Sequence, residues 1–216
     1  MIKLNKRLTT ISAFINKSDK VIDIGCDHNL LAIYMYQKEG IKIVGSDINP
    51  EPLKLAKTNL EKYDLSNTLE LRLGDGLSTI SNEDTIVISG MGGLLITKIL
   101  DNINDYNISK LIISPNDNFP LTREFITSKG YKIDSEIMVK DSNKYYLVSV
   151  YKKGNEKTNY FFGKLDNSIQ DNIDYFNYII NTNNIIINKL KNKYIIKKLK
   201  LKRQNKVIKK YLSKSK

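Results

Sequence analysis

Five short clusters hold most of the reactive and ligand-binding side chains in the first 116 residues of this 216-residue chain. They are Gly25-Cys26-Asp27-His28-Asn29, Asp47, Gly74-Asp75-Gly76, Gly90-Met91-Gly92-Gly93 and Ser114-Pro115-Asn116. Glycine lets a backbone come close to a ligand. Carboxylates accept hydrogen bonds from hydroxyls and pair with cations. Asparagine offers a donor and an acceptor side by side. The set suits a crevice that binds an organic ligand. It does not suit a structural zinc site, because the chain has one Cys and one His where such sites take four ligands of those types. No metal is expected.

Two common nucleotide fingerprints fail. A dinucleotide site wants G-x-G-x-x-G after its first strand. The corresponding positions here are Gly25, Asp27 and Leu30, so one glycine of three is present. Asp27 would also set a carboxylate against a pyrophosphate, which is costly at short range. No G-x-x-x-x-G-K-[ST] phosphate loop occurs. Asp47 passes a different test. It lies 22 residues beyond Gly25, the spacing at which a carboxylate reaches a ribose diol. A nucleoside that tolerates acids and carries no phosphate fits both facts. S-adenosylmethionine is such a ligand, since its sulfonium and ammonium groups are cations. Asp75 would then accept from an adenine amino group, and Gly76 and Gly90 would admit the ligand to the backbone.

Each of these residues also has a plain structural reading. A lone aspartate at a strand end often caps the next helix, which applies to Asp27, Asp47 and Asp75 taken singly. Asp23 lies within a strand run and reads as a structural hydrogen-bonding residue. His28 suits a capping or stacking role, and Cys26 a small buried side chain.

The elements that must position these clusters are legible as alternating runs. Val21–Ile24, Ile41–Ser46, Leu69–Leu73, Thr85–Ser89 and Leu111–Ser114 read as strands. His28–Gln37, Pro50–Tyr63, Leu94–Leu100 and Thr122–Ser128 read as helices between or after them. Tyr131–Val139 and Tyr145–Tyr151 follow without a helix between them and predict an antiparallel pair turning at Asp141-Ser142-Asn143. The pattern is that of an α/β, Rossmann-like fold with a mostly parallel seven-stranded sheet, where ligands bind at the carboxyl ends of the strands. Residues 1–153 form this domain. Residues 154–216 form a second, helical one, with Ile169, Ile173, Phe176, Ile180, Ile187, Leu190 and Tyr194 at near-heptad spacing. A helical hairpin or coiled coil is expected. Asn181–Asn184 is either its turn or a weak point inside one helix.

The net charge of +12 is concentrated. Thirteen Lys or Arg and no Asp or Glu lie between Ile185 and Lys216, whereas the rest of the chain nets −1. A bias toward AT-rich codons explains lysine in place of arginine but not the loss of acids. The tail therefore reads as a polyanion-binding surface, with Lys189, Lys193, Lys197, Lys198, Lys200, Lys202, Arg203 and Lys206 as the contacts. Tyr194 and Tyr211 would stack on bases or pack within the helices. The chain has no membrane-length apolar run, the N-terminus lacks signal-peptide character, and the single cysteine forms no internal disulfide. A cytoplasmic protein is expected.

The segments Val21-Ile22-Asp23-Ile24-Gly25, Gly45-Ser46-Asp47-Ile48 and Gly74-Asp75-Gly76-Leu77 resemble class I S-adenosylmethionine-dependent methyltransferases. Gly25-Cys26-Asp27-His28, Gly90-Met91-Gly92-Gly93 and Ser114-Pro115-Asn116, with the opening Lys6-Arg7-Leu8, narrow the resemblance to the bacterial tRNA adenine-22 N1-methyltransferases. The departures are Asn29, where a small residue is more frequent, Lys164 in place of a proline in Phe161-Phe162-Gly163-Lys164, and a shorter, more basic tail. The resemblance implies methyl transfer from S-adenosylmethionine to adenine N1 in tRNA. It implies cofactor contacts from Arg7, Gly25, Cys26, Asp27, His28, Asp47, Ile48, Asp75, Gly76, Gly90, Met91 and Gly92. It assigns catalytic parts to Asp27, on the base or on the sulfonium end, and to Asn116. Three other readings stay open at this level: a methyltransferase of another substrate, a non-catalytic RNA-binding module, and a nicotinamide-dependent dehydrogenase. A monomer is favoured.

Overall fold

Seven strands form one sheet in the order β3-β2-β1-β4-β5-β7-β6. In chain order they are β1 (Val21–Ile24), β2 (Ile43–Asp47), β3 (Leu71–Leu73), β4 (Thr85–Ser89), β5 (Lys110–Ser114), β6 (Tyr131–Asp141) and β7 (Lys144–Lys153). The computed structural model describes residues 1–215. The first five strands are parallel, and β7 is antiparallel to both of its neighbours. The strand order reverses direction between β1 and β4, which places the ligand crevice above those two strands.

Alternation of side chains builds the core. Val21, Val87 and Ile112 point to one face of the sheet and join Ile11, Leu31 and Met35. Ile22, Ile24, Ile86, Ile88, Leu111 and Ile113 point to the other and join Ile96, Leu100 and Ile126. Because helices cover both faces, the central strands are apolar on both. The helices on this sheet are α1 (Lys6–Ser12), α2 (Leu30–Glu39), α3 (Pro50–Lys62), α4 (Gly93–Ile99) and α5 (Phe119–Ser128). Helix α1 was not anticipated. Its N-cap is Asn5, whose Oδ1 accepts from the Leu8 N–H at 2.9 Å. Helix α2 begins two residues later than predicted, because Asp27 and Asn29 both adopt positive φ and keep the chain non-helical. Helix α5 begins earlier, with Pro120 in its first turn, where a missing N–H costs nothing.

The β6–β7 hairpin is longer than predicted and turns in two residues, Ser142-Asn143. Strand β5 covers only Ser149–Lys152 of β7, so the turn end of the hairpin projects past the carboxyl end of β5. Helix α1 packs on this hairpin, which brings the N-terminus to the ligand side of the sheet.

The chain divides into two compact units, Met1–Lys164 and Leu165–Lys216. The division falls later than composition suggested because residues 159–164 are tied to the sheet. Arg123 and Glu136 form an ion pair at 2.8 Å with both side chains buried. Arg123 also donates to the Tyr160 and Phe161 carbonyls, and Glu136 accepts from the Lys164 N–H and the Ser149 hydroxyl.

The second unit is a helical hairpin of α6 (Gln170–Lys189) and α7 (Ile195–Leu212). Asn181–Asn184 lies inside α6, and the bend is at Leu190–Tyr194. Asn183 explains why. It is buried and donates to Asn205 Oδ1 at 2.8 Å and Gln204 Oε1 at 2.9 Å, while Asn205 donates to Asn184 Oδ1. A polar ladder of this kind fixes the register of two packed helices. Tyr211 packs against the Phe176 ring and donates to the Leu165 carbonyl, so it is a packing residue. Tyr194 is exposed.

Candidate active site

A cleft of about 370 Å³ opens at the carboxyl ends of β1, β2 and β4. Strand β1 delivers Asp23, Gly25, Cys26, Asp27 and His28; β2 delivers Asp47; β4 delivers Ser89, Gly90 and Met91; and α1 delivers Arg7 and Leu8. Eight of the residues expected to hold the cofactor thus meet in one place: Arg7, Gly25, Cys26, Asp27, His28, Asp47, Gly90 and Met91.

Gly25 forms the floor. Its φ is +77°, and a Cβ there would lie 2.0 Å from Met91 Cε. A side chain there would be strained by the positive φ and would have to displace the end of Met91. Gly45, in the middle of β2, is also required. A Cβ on it would stand 2.6 Å from Asn29 Oδ1 and 2.9 Å from Cys26 Sγ, so its absence lets the β1 loop rest on β2.

The lining is acidic, with one cation set against it. Asp23 is buried beneath the cleft. Burial lifts its carboxyl to about 7, against a smaller pull downward from the Arg7 guanidinium. Sequence reasoning gave Asp23 a hydrogen-bonding role within the strand; the structure makes it a cleft carboxyl facing Arg7. The Cys26 thiol is pushed far above its ordinary value, by burial first and then by Asp23, Asp47 and Asp27. Arg7 lies 4.9 Å from the Tyr146 ring centroid on the projecting hairpin, beside Gly90. Asp47 accepts from the Asn49 N–H with Oδ1 at 2.9 Å. Asp27 has φ +49° and a side chain 67% exposed, 3.6 Å from His28 Nε2.

The remaining expected residues lie around the cleft. Asp75 and Gly76 line a neighbouring depression of about 250 Å³ with Lys98, Ile99, Asn102 and Tyr106. Ile48 is exposed beyond β2. Asn116 sits at the rim, donating from Nδ2 to the Gly90 carbonyl at 2.6 Å, and its N–H meets the Met91 carbonyl. Gly92 lies beside Asp117, whose Oδ1 accepts from the Gly93 N–H and anchors the start of α4. Asp117 and Tyr146 were not foreseen. Neither belongs to a recognisable spacing, and each acts by holding another part of the site.

Comparison with known proteins places this geometry in a family. A methyltransferase-domain family matches residues 4–149. The tRNA (adenine(22)-N(1))-methyltransferase of Bacillus subtilis (strain 168) is 33% identical over 164 residues, covering 74% of this chain and 69% of that protein. The chain belongs to the tRNA (adenine(22)-N(1))-methyltransferase family. Two solved structures agree over nearly the whole length. TrmK of M. capricolum, in complex with S-adenosyl-homocysteine, has a TM-score of 0.82 and 30% identity, covering 97% of this chain and 98% of that one. The B. subtilis m1A22 tRNA methyltransferase has a TM-score of 0.80 and 25% identity, covering 98% and 100%. Since these matches reach beyond residue 149, the helical hairpin is part of the family's architecture and not an appendage to it.

Among the described residues, no group of three or more His, Cys, Asp or Glu could hold a metal ion, and no helix is long and apolar enough to cross a membrane. Of the cations expected to contact a polyanion, Lys189, Lys193, Lys197, Lys200, Lys202, Arg203 and Lys206 are exposed and Lys198 is half-buried.

Proposed function

We propose that this protein transfers a methyl group from S-adenosylmethionine to N1 of an adenine in tRNA, at position 22, in the cytosol. The observation that carries this reading is the acidic, glycine-floored cleft above β1 and β4. Asp27 and Asp47 line it, with the buried carboxyl of Asp23 beneath them; such a lining favours a cationic sulfonium and disfavours a pyrophosphate. Family membership agrees with it.

The residues present fit the cofactor. Gly25 gives its backbone room. Asp47 keeps Oδ2 for a ribose diol while Oδ1 is held by the Asn49 N–H. Arg7, fixed against Tyr146, answers a carboxylate. Cys26, His28, Ile48, Asp75, Gly76 and Gly92 complete the surroundings. When bound, the cofactor supplies an electrophilic methyl carbon on a positively charged sulfur.

The protein's own work is alignment and charge. Adenine N1 lies on the Watson–Crick edge, so the base must leave its stack to reach the cleft. N1 carries an in-plane lone pair and needs no general base. Asn116, tied to the Gly90 carbonyl, presents its Oδ1 and second N–H to a base edge. The alkylated base is a cation. Asp27, exposed at the mouth of the cleft, is placed to accept from the adenine amino group and to stabilise that charge as it develops. The lysines of the hairpin hold phosphates without reading sequence. The test is transfer of a tritiated methyl group from S-adenosylmethionine to unmodified tRNA. Incorporation supports the reading. Binding of a nicotinamide dinucleotide in its place, without transfer, overturns it.

A further inference from the structure

The bend of the C-terminal hairpin carries a feature that phosphate binding does not require. Tyr194, Ile195, Ile196 and Leu199 are 46%, 56%, 69% and 58% exposed, side by side in sequence at the start of α7. They are not spare core. The packing between α6 and α7 is already made by Phe176, Ile180 and Ile208, all buried. Tyr194, Ile195 and Ile196, with Lys193, Lys197 and Lys200, border a shallow pocket of about 430 Å³. Lys193 Nζ stands 5.2 Å from the Tyr194 ring centroid. An apolar patch of this kind on a small unit marks a contact surface.

Charge decides the partner. The patch lies in a stretch of 32 residues with thirteen cations and no acid. A second copy would bring the same charge against it and be repelled. A polyanion whose apolar groups are also exposed is complementary, and single-stranded RNA is one: its phosphates meet lysines while its unstacked bases meet aromatic and aliphatic side chains. We infer that the hairpin bend is a second RNA-binding site, which takes unpaired loop bases of the tRNA on Tyr194 and Ile196 and the flanking phosphates on Lys193, Lys197 and Lys200. This rests on the tRNA reading above and adds to it. Helix α6 spans 20 residues, or about 30 Å at the usual rise, so the bend engages the substrate well away from the hairpin's attachment at Leu165. A tRNA with unpaired loop bases would thereby be told from plain duplex RNA.

Two variants of the full chain separate this from charge alone. Tyr194→Gln/Ile196→Gln is surface-exposed and keeps helix-forming side chains. It is expected to weaken tRNA binding about tenfold with an unchanged slope of log affinity against log salt, because stacking releases no counterions. Lys193→Gln/Lys197→Gln is expected to flatten that slope by roughly 1.4 to 1.8. Oligouridylate should compete with tRNA for the wild type and lose that ability against the first variant. Cofactor affinity should stay as in wild type for both. Unchanged tRNA affinity in the first variant overturns the inference. So does a concentration-dependent rise in mass that this variant abolishes, which would make the patch a dimer interface, or its loss of flotation with phosphatidylserine vesicles without loss of tRNA binding, which would make it a membrane contact. Wild-type protein that transfers no methyl group to tRNA would instead bring down the substrate reading itself.

Discussion

Replacing Asp23 by asparagine keeps the shape of the side chain and removes a charge that the fold holds at a loss. Burial raises this carboxyl from 3.8 to about 7. A group whose folded value lies above its unfolded value lends its full stability below the unfolded value and loses it as pH rises through the folded one. Asp23 therefore costs nothing near pH 3 and its whole penalty above pH 7. At about 1.36 kcal/mol per pH unit the interval corresponds to on the order of 4 kcal/mol. For a chain of this size each kcal/mol moves Tm by roughly 2–4 °C. Asp23→Asn should melt with the wild type near pH 4 and several degrees above it at pH 8, the gap opening steadily between. Calorimetric scans of both proteins across that range measure it. A gap that does not change with pH would refute the assignment of a buried, largely protonated carboxyl beneath the cleft. The same linkage predicts that a cationic ligand above Asp23 favours its ionised form. Cofactor binding at pH 6 should then release a fraction of a proton in wild type and less in Asp23→Asn, read by titration calorimetry in buffers of different ionisation enthalpy.

Three other perturbations have clear expected outcomes. Gly25→Ala faces a positive φ, worth about 1–2 kcal/mol for an L residue, and a Cβ 2.0 Å from the flexible end of Met91. It should cost only a few degrees of Tm yet weaken cofactor binding by more than about tenfold; unchanged affinity would take Gly25 out of the floor. Asp27→Ala should retain cofactor binding and lower single-turnover transfer by about 10²–10³; wild-type turnover would remove Asp27 from the chemistry. Arg123→Met strands Glu136 in the core and should destabilise by about 3–5 kcal/mol, with Arg123→Met/Glu136→Gln recovering part of it; equal loss in both variants would argue against an ion pair.

Much of this was legible from residue types and order. Apolar runs ending in glycine, aspartate or proline located five strands, and most of the polar residues at their ends line one cleft. What stayed hidden depended on contacts remote in sequence. Asp23 sits in an apolar strand like any in-strand aspartate, and only the arrival of Arg7 on α1 makes it a cleft residue. The apolar pattern started this helix at Thr122, whereas it begins at Phe119, with Pro120 suited to its first turn. Residue types left Asn181–Asn184 as either a turn or a weak point inside one helix, and the choice was made by Asn205 and Gln204 on the other helix, which satisfy Asn183. The domain boundary was read at residue 153 because neither Arg123 nor Glu136 announces its partners at Tyr160, Phe161 and Lys164.

In the proposed reaction the carboxylate-lined cleft receives an unstacked adenine, whose N1 takes the methyl group. The most direct measurement is to incubate an unmodified tRNA transcript with the protein and S-adenosylmethionine and then read it by primer extension. A methyl group on N1 blocks Watson–Crick pairing, so a new stop opposite adenine 22, absent with Asp27→Ala, is the predicted result. Full methyl incorporation with no stop, or a stop at another nucleotide, would contradict it.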